Sequence, residues 1–509
     1  MKRAMIVLSI MVLLLPINIY AYNNSKAYDW FKNTDMIVTD SNRQKYIDEY
    51  GLTGITNGTF LLNYNMRNKS ILLNNPNLIK DLSISSSFSA LILLNGYTET
   101  NDPALLERAI LIGDNILDNK VLKRPFVYGG RELTVIAPQT QMINGTWQMN
   151  SNFLEAYPND LLVNAAFLIE LSHITNDNKY ATVGLEVIDS MIYLQESLVD
   201  FFKGGLPYFL YTDGDVFRPK WNISLDIAYQ VFIAANVAYS YTSNDKYKTF
   251  ENNYFDMIYN MLDRGIYNTF TKNGKEYILP FEHIVQDENT SNYYGVNHNN
   301  YLETEFSPET DITMDQFFYF TLGIANHDPD NTWAKKFYDT AKVLMNDNYF
   351  YWGEYTIDGK KGTADGTELE IVNTAFMIEL MKTMGETKDK YRPLQCALIH
   401  AVEESDDKSI NGAWTWSVGI DDLIEGLATS WIILEVYDKN GSENCCPLPN
   451  DTVVEEPKDV VEEKKDVPSK VEENPQTGVF SLIPIFLVIA TISTTLYLYI
   501  NKKKIFKKM

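Results

Sequence analysis

Cysteine, histidine and positive charge are all scarce in this chain. Only three cysteines occur, Cys396, Cys445 and Cys446. Two of them are adjacent, so no disulfide framework can be read. No Cys/His spacing fits a zinc site, and the five histidines (His173, His283, His298, His327 and His400) are scattered. Acids outnumber bases 67 to 43, for a net charge of −24. Nucleic acid binding needs a basic footprint, which excludes that class of partner. An acidic exterior suits solubility. No EF-hand spacing is present, although Asp213, Asp215, Glu303 and Glu305 are oxygen donors of the kind that hold Ca²⁺. No other cofactor is expected.

The two ends carry uncharged apolar runs. Lys2 and Arg3 precede Ala4 to Ile17, and Ala21 ends a cleavage site. This pattern predicts a secretory signal peptide over 1–21. Near the other end, Asn474-Pro475-Gln476-Thr477-Gly478 runs into the apolar stretch 479–500, and a lysine-rich tail closes the chain over 501–509. The stretch is long enough for a transmembrane helix, which needs about 20 residues. The flanking positive charge marks the cytoplasmic side.

Pentapeptide, span and basic tail in this order resemble the cell-wall sorting signal of Gram-positive surface proteins, with its LPXTG-like motif. Asn474 stands where that family usually has Leu, which leaves the sortase class open. The resemblance implies that a sortase cuts between Thr477 and Gly478 and joins Thr477 to peptidoglycan. The expected location is therefore outside the cell, covalently fixed to the wall and membrane-bound before sorting. Segment 441–473 is rich in Glu, Lys, Val and Pro. Such a composition cannot bury enough surface to fold and predicts an extended, disordered linker. With Lys2, Arg3 and the five tail lysines set aside, the −24 of the whole chain less seven positive charges is −31.

The body, 22–440, shows no composition break. It repeats a pattern instead. Asn159–Tyr180, Ser224–Tyr247 and Thr367–Tyr391 each have an acidic start, an apolar helix, a polar turn and a Lys-Tyr that opens the next helix. A fourth copy runs from Asp311 to Tyr338, a fifth begins near Ser83, and the inner helix of a sixth begins near Asp421. Repeats of this size predict a stacked or closed array. The first helix of each pair is apolar all round and must be covered on both sides, whereas the second is amphipathic. An inner ring inside an outer ring is an all-α, α/α toroid of about six helical hairpins with long rim loops. The sixth inner helix lacks a partner, and Ala27–Tyr50 is the candidate to supply it. This layout resembles the six-hairpin glycosidases and α/α toroid polysaccharide lyases, without any of their catalytic signatures.

The long connections fall at about 120–157, 197–221, 265–310, 347–366 and 405–420, on the face holding the inner-helix N-termini. Connections of that length are usually functional or disordered. They carry Trp147, Trp221, Trp352, Trp414 and Trp416, a candidate platform for sugars, which have apolar faces and polar edges. Acids stand at the inner-helix starts: Asp226, Asp160, Asp315, Glu370 and Asp422, in order of preference. Helix dipoles favour carboxylates there, and Ser224, Thr313 and Thr367 read as caps. Two of the acids facing each other would suit glycoside hydrolysis. A polysaccharide lyase is an alternative. It would draw on the crowded stretch Ser291–Glu305, where His298 and Tyr301 are candidate substrate contacts, with a His or Tyr as base and Asn or a cation quieting a uronate. A further alternative is a non-catalytic glycan or small-ligand binding protein, an adhesin or carrier.

Overall fold

The computed structural model describes residues 24–61, 63–65, 80–122, 126–143, 146–149, 155–199, 202–213, 216–286, 292–298, 306–307, 312–345, 350–351, 354–355, 369–403, 410–415, 417–418 and 423–436. The chain opens with α1 (Asn24–Asn33) and α2 (Arg43–Tyr50). Five hairpins follow: α3 (Ser83–Thr100) with α4 (Pro103–Asn119), and α5 (Pro158–Thr175) with α6 (Asn178–Glu196). Next come α7 (Ala228–Thr242) with α8 (Lys246–Asp263), and α9 (Met314–His327) with α10 (Thr332–Leu344). Then α11 (Ile371–Thr383) pairs with α12 (Lys388–His400), and α13 (Gly426–Val436) is the last helix among the described residues.

The inner ring closes. Helices α3, α5, α7, α9, α11 and α13 touch in that order, and α13 returns to α3. Helix α1 packs on α13, α3 and α4, and so fills the sixth outer place. The two rings differ in burial as the sequence pattern predicts. Every residue of α11 from Ile371 to Met381 is buried. In α10, Ala334, Phe337, Tyr338, Ala341 and Leu344 are buried, while Lys335, Lys336, Asp339 and Lys342 are exposed.

The hairpin turns explain the Lys-Tyr repeat. Asn101, Asn176 and Ser243 end their helices with φ near +55°, and polar residues just beyond cap the next helix. Lys179 and Tyr180 at the start of α6 both reach Asp114 of α4, at 2.9 and 2.7 Å. Lys246 at the start of α8 reaches Asp189 of α6 at 2.6 Å. Trp333 of α10 donates its indole N–H to Asp263 of α8. Each of these outer helices is thus stitched to the one before it.

The rim connections correct the all-α expectation. They form short strands rather than plain loops, and every pairing is antiparallel. Each inner helix follows a lead-in strand: Lys80–Leu82, Glu155–Ala156, Val216–Ser224, Ile312–Thr313, Leu369–Glu370 and Leu423–Glu425. The largest sheet orders strands 306–307, 293–298, 283–286, 216–224, 207–213 and 155–156. Pairing satisfies backbone groups that a half-buried loop would leave open.

Cys396 in α12 is disulfide-bonded. The other two cysteines, Cys445 and Cys446, lie outside the described residues.

Candidate functional site

Two predicted acids sit at neighbouring strand-to-helix junctions with one local design. Ser224 Oγ donates to Asp226 Oδ1 at 2.6 Å, and Thr313 Oγ1 donates to Asp315 Oδ1. The sequence pattern assigns these hydroxyls to helix caps. They serve the aspartates instead, and neither α7 nor α9 has a side-chain cap. Tyr254 OH donates to the Ser224 carbonyl at 2.7 Å. Burial raises the Tyr254 hydroxyl well above its ordinary range, and the Asp226 charge adds to that.

Asp315 has 6% of its surface exposed. Burial pushes its carboxyl up to about 6. The Thr313 and backbone hydrogen bonds oppose the rise, and the charge of Glu282 adds to it. Desolvation therefore outweighs the helix dipole here.

Glu282 and His283 are the residues that sequence reasoning missed. Both are buried, at the start of strand His283–Gln286. Leu225 N–H donates to the Glu282 carbonyl at 2.8 Å, and Glu282 N–H donates to Asn297 Oδ1 at 2.8 Å. His283 pairs with Ser224 in the sheet. These contacts put Glu282 beside Asp226 through the strand, and its charge is felt at Asp315. Sheet pairing between distant segments creates the group, and no local spacing signals it.

The two aspartates are staggered. Gly323 lies where an added Cβ would meet Ala228 Cβ at 2.5 Å, so α9 and α7 approach closely there. Asp315 lies eight residues before that contact, about 12 Å along α9 at ~1.5 Å rise per residue. Asp226 precedes Ala228 by two residues. Across the same sheet the rings of Tyr157 and Tyr208 lie 5.9 Å apart, and those of Tyr208 and His283 lie 4.4 Å apart. Tyr157 and Tyr208 are half-buried.

Asp160 is buried in the first turn of α5, one inner helix away from Asp226. Glu370 lies in the strand before α11, paired with Phe350 and Ser417. Asp422 lies outside the described residues.

Two of the five tryptophans are packed away, which corrects their assignment to an open platform. Trp147 lies in a small second core with Val38, Leu52, Ile55 and Leu61. Trp414 is buried in the main core and donates its indole N–H to the Leu398 carbonyl at 2.8 Å. Trp221 lies in the lead-in strand of α7, and His298 ends strand Tyr293–His298. Trp352, Trp416, Tyr301, Thr477 and Gly478 lie outside the described residues, as do Asp215, Glu303 and Glu305. Among the described residues no group of three or more His, Cys, Asp or Glu is arranged to hold a metal ion. Among them, too, no helix is long and apolar enough to cross a membrane.

No known protein-family pattern matches the chain. A curated relative, the 6-phospho-beta-glucosidase BglT of Thermotoga maritima, is 28% identical over 165 residues. That match covers 32% of this chain and 36% of the relative, so the chain spans about a third of that protein's length. Solved structures match far more of the chain. A D-mannose isomerase superposes with a TM-score of 0.52 at 12% identity, covering 82% of this chain and 98% of its own. An alpha-amylase from Clostridium perfringens gives 0.51 at 12% identity, covering 81% and 97%. A cellobiose 2-epimerase from Spirochaeta thermophila gives 0.50 at 11% identity, covering 83% and 98%. The chain has the α/α toroid fold that these structures share.

Proposed function

We propose that this chain is an extracellular carbohydrate-active enzyme, a glycoside hydrolase that uses two carboxylates at the mouth of the toroid. Asp315 carries the reading. It is buried, receives the Thr313 hydroxyl, and holds its proton up to about pH 6. Hydrolysis needs one carboxyl that protonates the leaving oxygen and one ionised carboxylate on the other side of the sugar.

Asp315 takes the first role and Asp226 the second. The proton of Asp315 passes to the glycosidic oxygen as the bond to the anomeric carbon breaks. Asp226 accepts a proton from the water that attacks that carbon. Glu282 adds negative charge that helps keep the proton on Asp315. Tyr157 and Tyr208 offer ring faces to the sugar. Support for a sugar substrate also comes from the fold, since solved structures that share it are named for an amylase, a mannose isomerase and a cellobiose epimerase.

The test is release of reducing sugar from a broad polysaccharide panel by the wild type, Asp315→Asn and Asp226→Asn. Each substitution is expected to cost about 10²–10⁴-fold in rate with the circular dichroism unchanged. A wild type that cuts no polysaccharide sinks the enzyme class. Full activity in both variants sinks the site.

The anchoring of the chain is proposed on its sequence. A signal peptide over 1–21 exports it, and a sortase joins Thr477 to peptidoglycan. The disulfide at Cys396 is consistent with an oxidising compartment. Deleting 474–478 is expected to move the protein from the wall fraction to the membrane fraction, and unchanged wall linkage would overturn this.

A further inference from the structure

Three consecutive inner helices, α7, α9 and α11, carry an amide as their third residue: Gln230, Gln316 and Asn373. Gln230 and Asn373 are fully buried, and neither end of either amide has a hydrogen-bond partner. The buried amide oxygen of Gln316 has none either. The case of α5 is different. There Asn164 donates to the Asp160 carbonyl at 2.6 Å and accepts from Ser87 at 2.6 Å. A buried polar group left unpaired is costly, and native folds rarely keep one without a use. A leucine at either place would cost the fold little.

Their positions say what the use is. Gln230 lies four residues after Asp226, Gln316 follows Asp315 directly, and Asn373 lies three residues after Glu370. Each amide thus stands in the first turn of its inner helix, next to the strand-to-helix junction that carries the acid. Helical side chains also tilt toward the N-terminus, which is the mouth side of the inner ring.

We propose that Gln230 and Asn373 read the hydroxyl groups of an uncharged sugar at the floor of the mouth, and that the site selects neutral glycans over uronates. The inference rests on the proposed glycan site. A side-chain amide both donates and accepts, as a sugar hydroxyl does, whereas a carboxylate only accepts. A uronate would also meet Asp226, Glu282 and Asp315. Lys120, buried on this side of the ring, is already committed to Asp81 at 2.9 Å. The connection that brings Glu282 and Asp315, residues 265–315, holds nine acids and two lysines.

The experiment measures calorimetric binding of cellohexaose, mannohexaose and maltohexaose, with hexagalacturonate as the anionic control. It compares wild type, Asp315→Asn, Gln230→Leu and Asn373→Leu, and records a thermal melt for each. Wild type and Asp315→Asn are expected to bind at least one neutral hexaose, and to bind the uronate at least about tenfold more weakly. Gln230→Leu and Asn373→Leu are expected to lose about tenfold or more in neutral binding while melting at the same or a higher temperature. If a leucine variant does not fold, Gln230→Met and Asn373→Ala replace it. Neutral binding unchanged in these variants would mean the amides hold only water, and would overturn the proposal. So would uronate binding as tight as neutral binding, or no neutral binding at all. Binding that follows the expected pattern without any hydrolysis by the wild type would overturn the hydrolase reading and leave this one standing.

Discussion

The two faces of the toroid use the same residue, aspartate, in opposite ways. On the hairpin-turn face, Asp114 has 42% of its side chain exposed and is held by a lysine and a tyrosine of the next outer helix. The hydrogen bond to Asp114 is the main reason that the Lys179 ammonium is raised. On the mouth face, Asp315 is buried, its hydrogen bond comes from a neutral hydroxyl, and the charge that acts on it is another carboxylate, Glu282. Water and a cation make one carboxylate a fastener. Their removal makes the other a proton carrier. A carboxylate at a helix start is therefore no evidence of chemistry until its burial and its neighbours are known.

The largest effect should come from a pair that combines both designs. Lys120 and Asp81 form an ion pair with both side chains fully buried, just below the mouth. Lys120→Met leaves an uncompensated buried charge and is expected to cost about 3–5 kcal/mol in urea unfolding. A loss under ~1 kcal/mol would mean that the mouth tolerates unpaired carboxylates more widely than Asp315 implies.

The next effect concerns Asp315 itself. Its folded pKa is raised from 3.8 to about 6, so the native state holds the proton more tightly than the unfolded chain. Its contribution is most favourable below pH ~4 and is lost as pH climbs through about 6. Asp315→Asn removes that slope and should be more stable than the wild type at pH 7 by about 2–3 kcal/mol. Denaturation at pH 4 and pH 7 checks this, and parallel curves for the two proteins would count against a buried, proton-holding Asp315.

The smallest effect belongs to the turn face. Asp114→Ala should cost no more than about 1 kcal/mol, because the Lys179 pair is half-exposed and screened. The loss should shrink in about 1 M salt. A larger, salt-independent loss would erase the contrast between the faces.

The ring was legible because its signals are local. Apolar helices, amphipathic helices and polar turns each show in a short window, and the Lys-Tyr phrase marks the stitch between outer helices. One further mark is equally local. Asn95, Glu170, Asn236, Asn326, Glu379 and Glu435 each stand late in one of the six inner helices, behind a matching apolar run. Three of them contact outer helices: Asn95 bonds Tyr28, Asn236 bonds Glu251, and the Glu435 carbonyl accepts from Gln395. The mouth was only half legible. Asp226 and Asp315 announce themselves at helix starts, but Glu282 joins them through pairing between strands far apart in sequence. Most rim strands are too short for alternation to show. Trp147 and Trp414 misled because an aromatic in a long connection can fill a small core as well as face a ligand.

Closure of the inner ring through α13 and α3 also sets how the molecule should yield to force. An open stack of repeats frays from its ends, since each terminal unit has one neighbour. A closed ring has no terminal unit, so every inner helix is braced from two sides. A tether leaving the chain beyond Val436 would load α13 first, and α13 is the keystone where the first and last helices of the ring meet. Under such a load, the joint between α13 and α3 is where the circle would open.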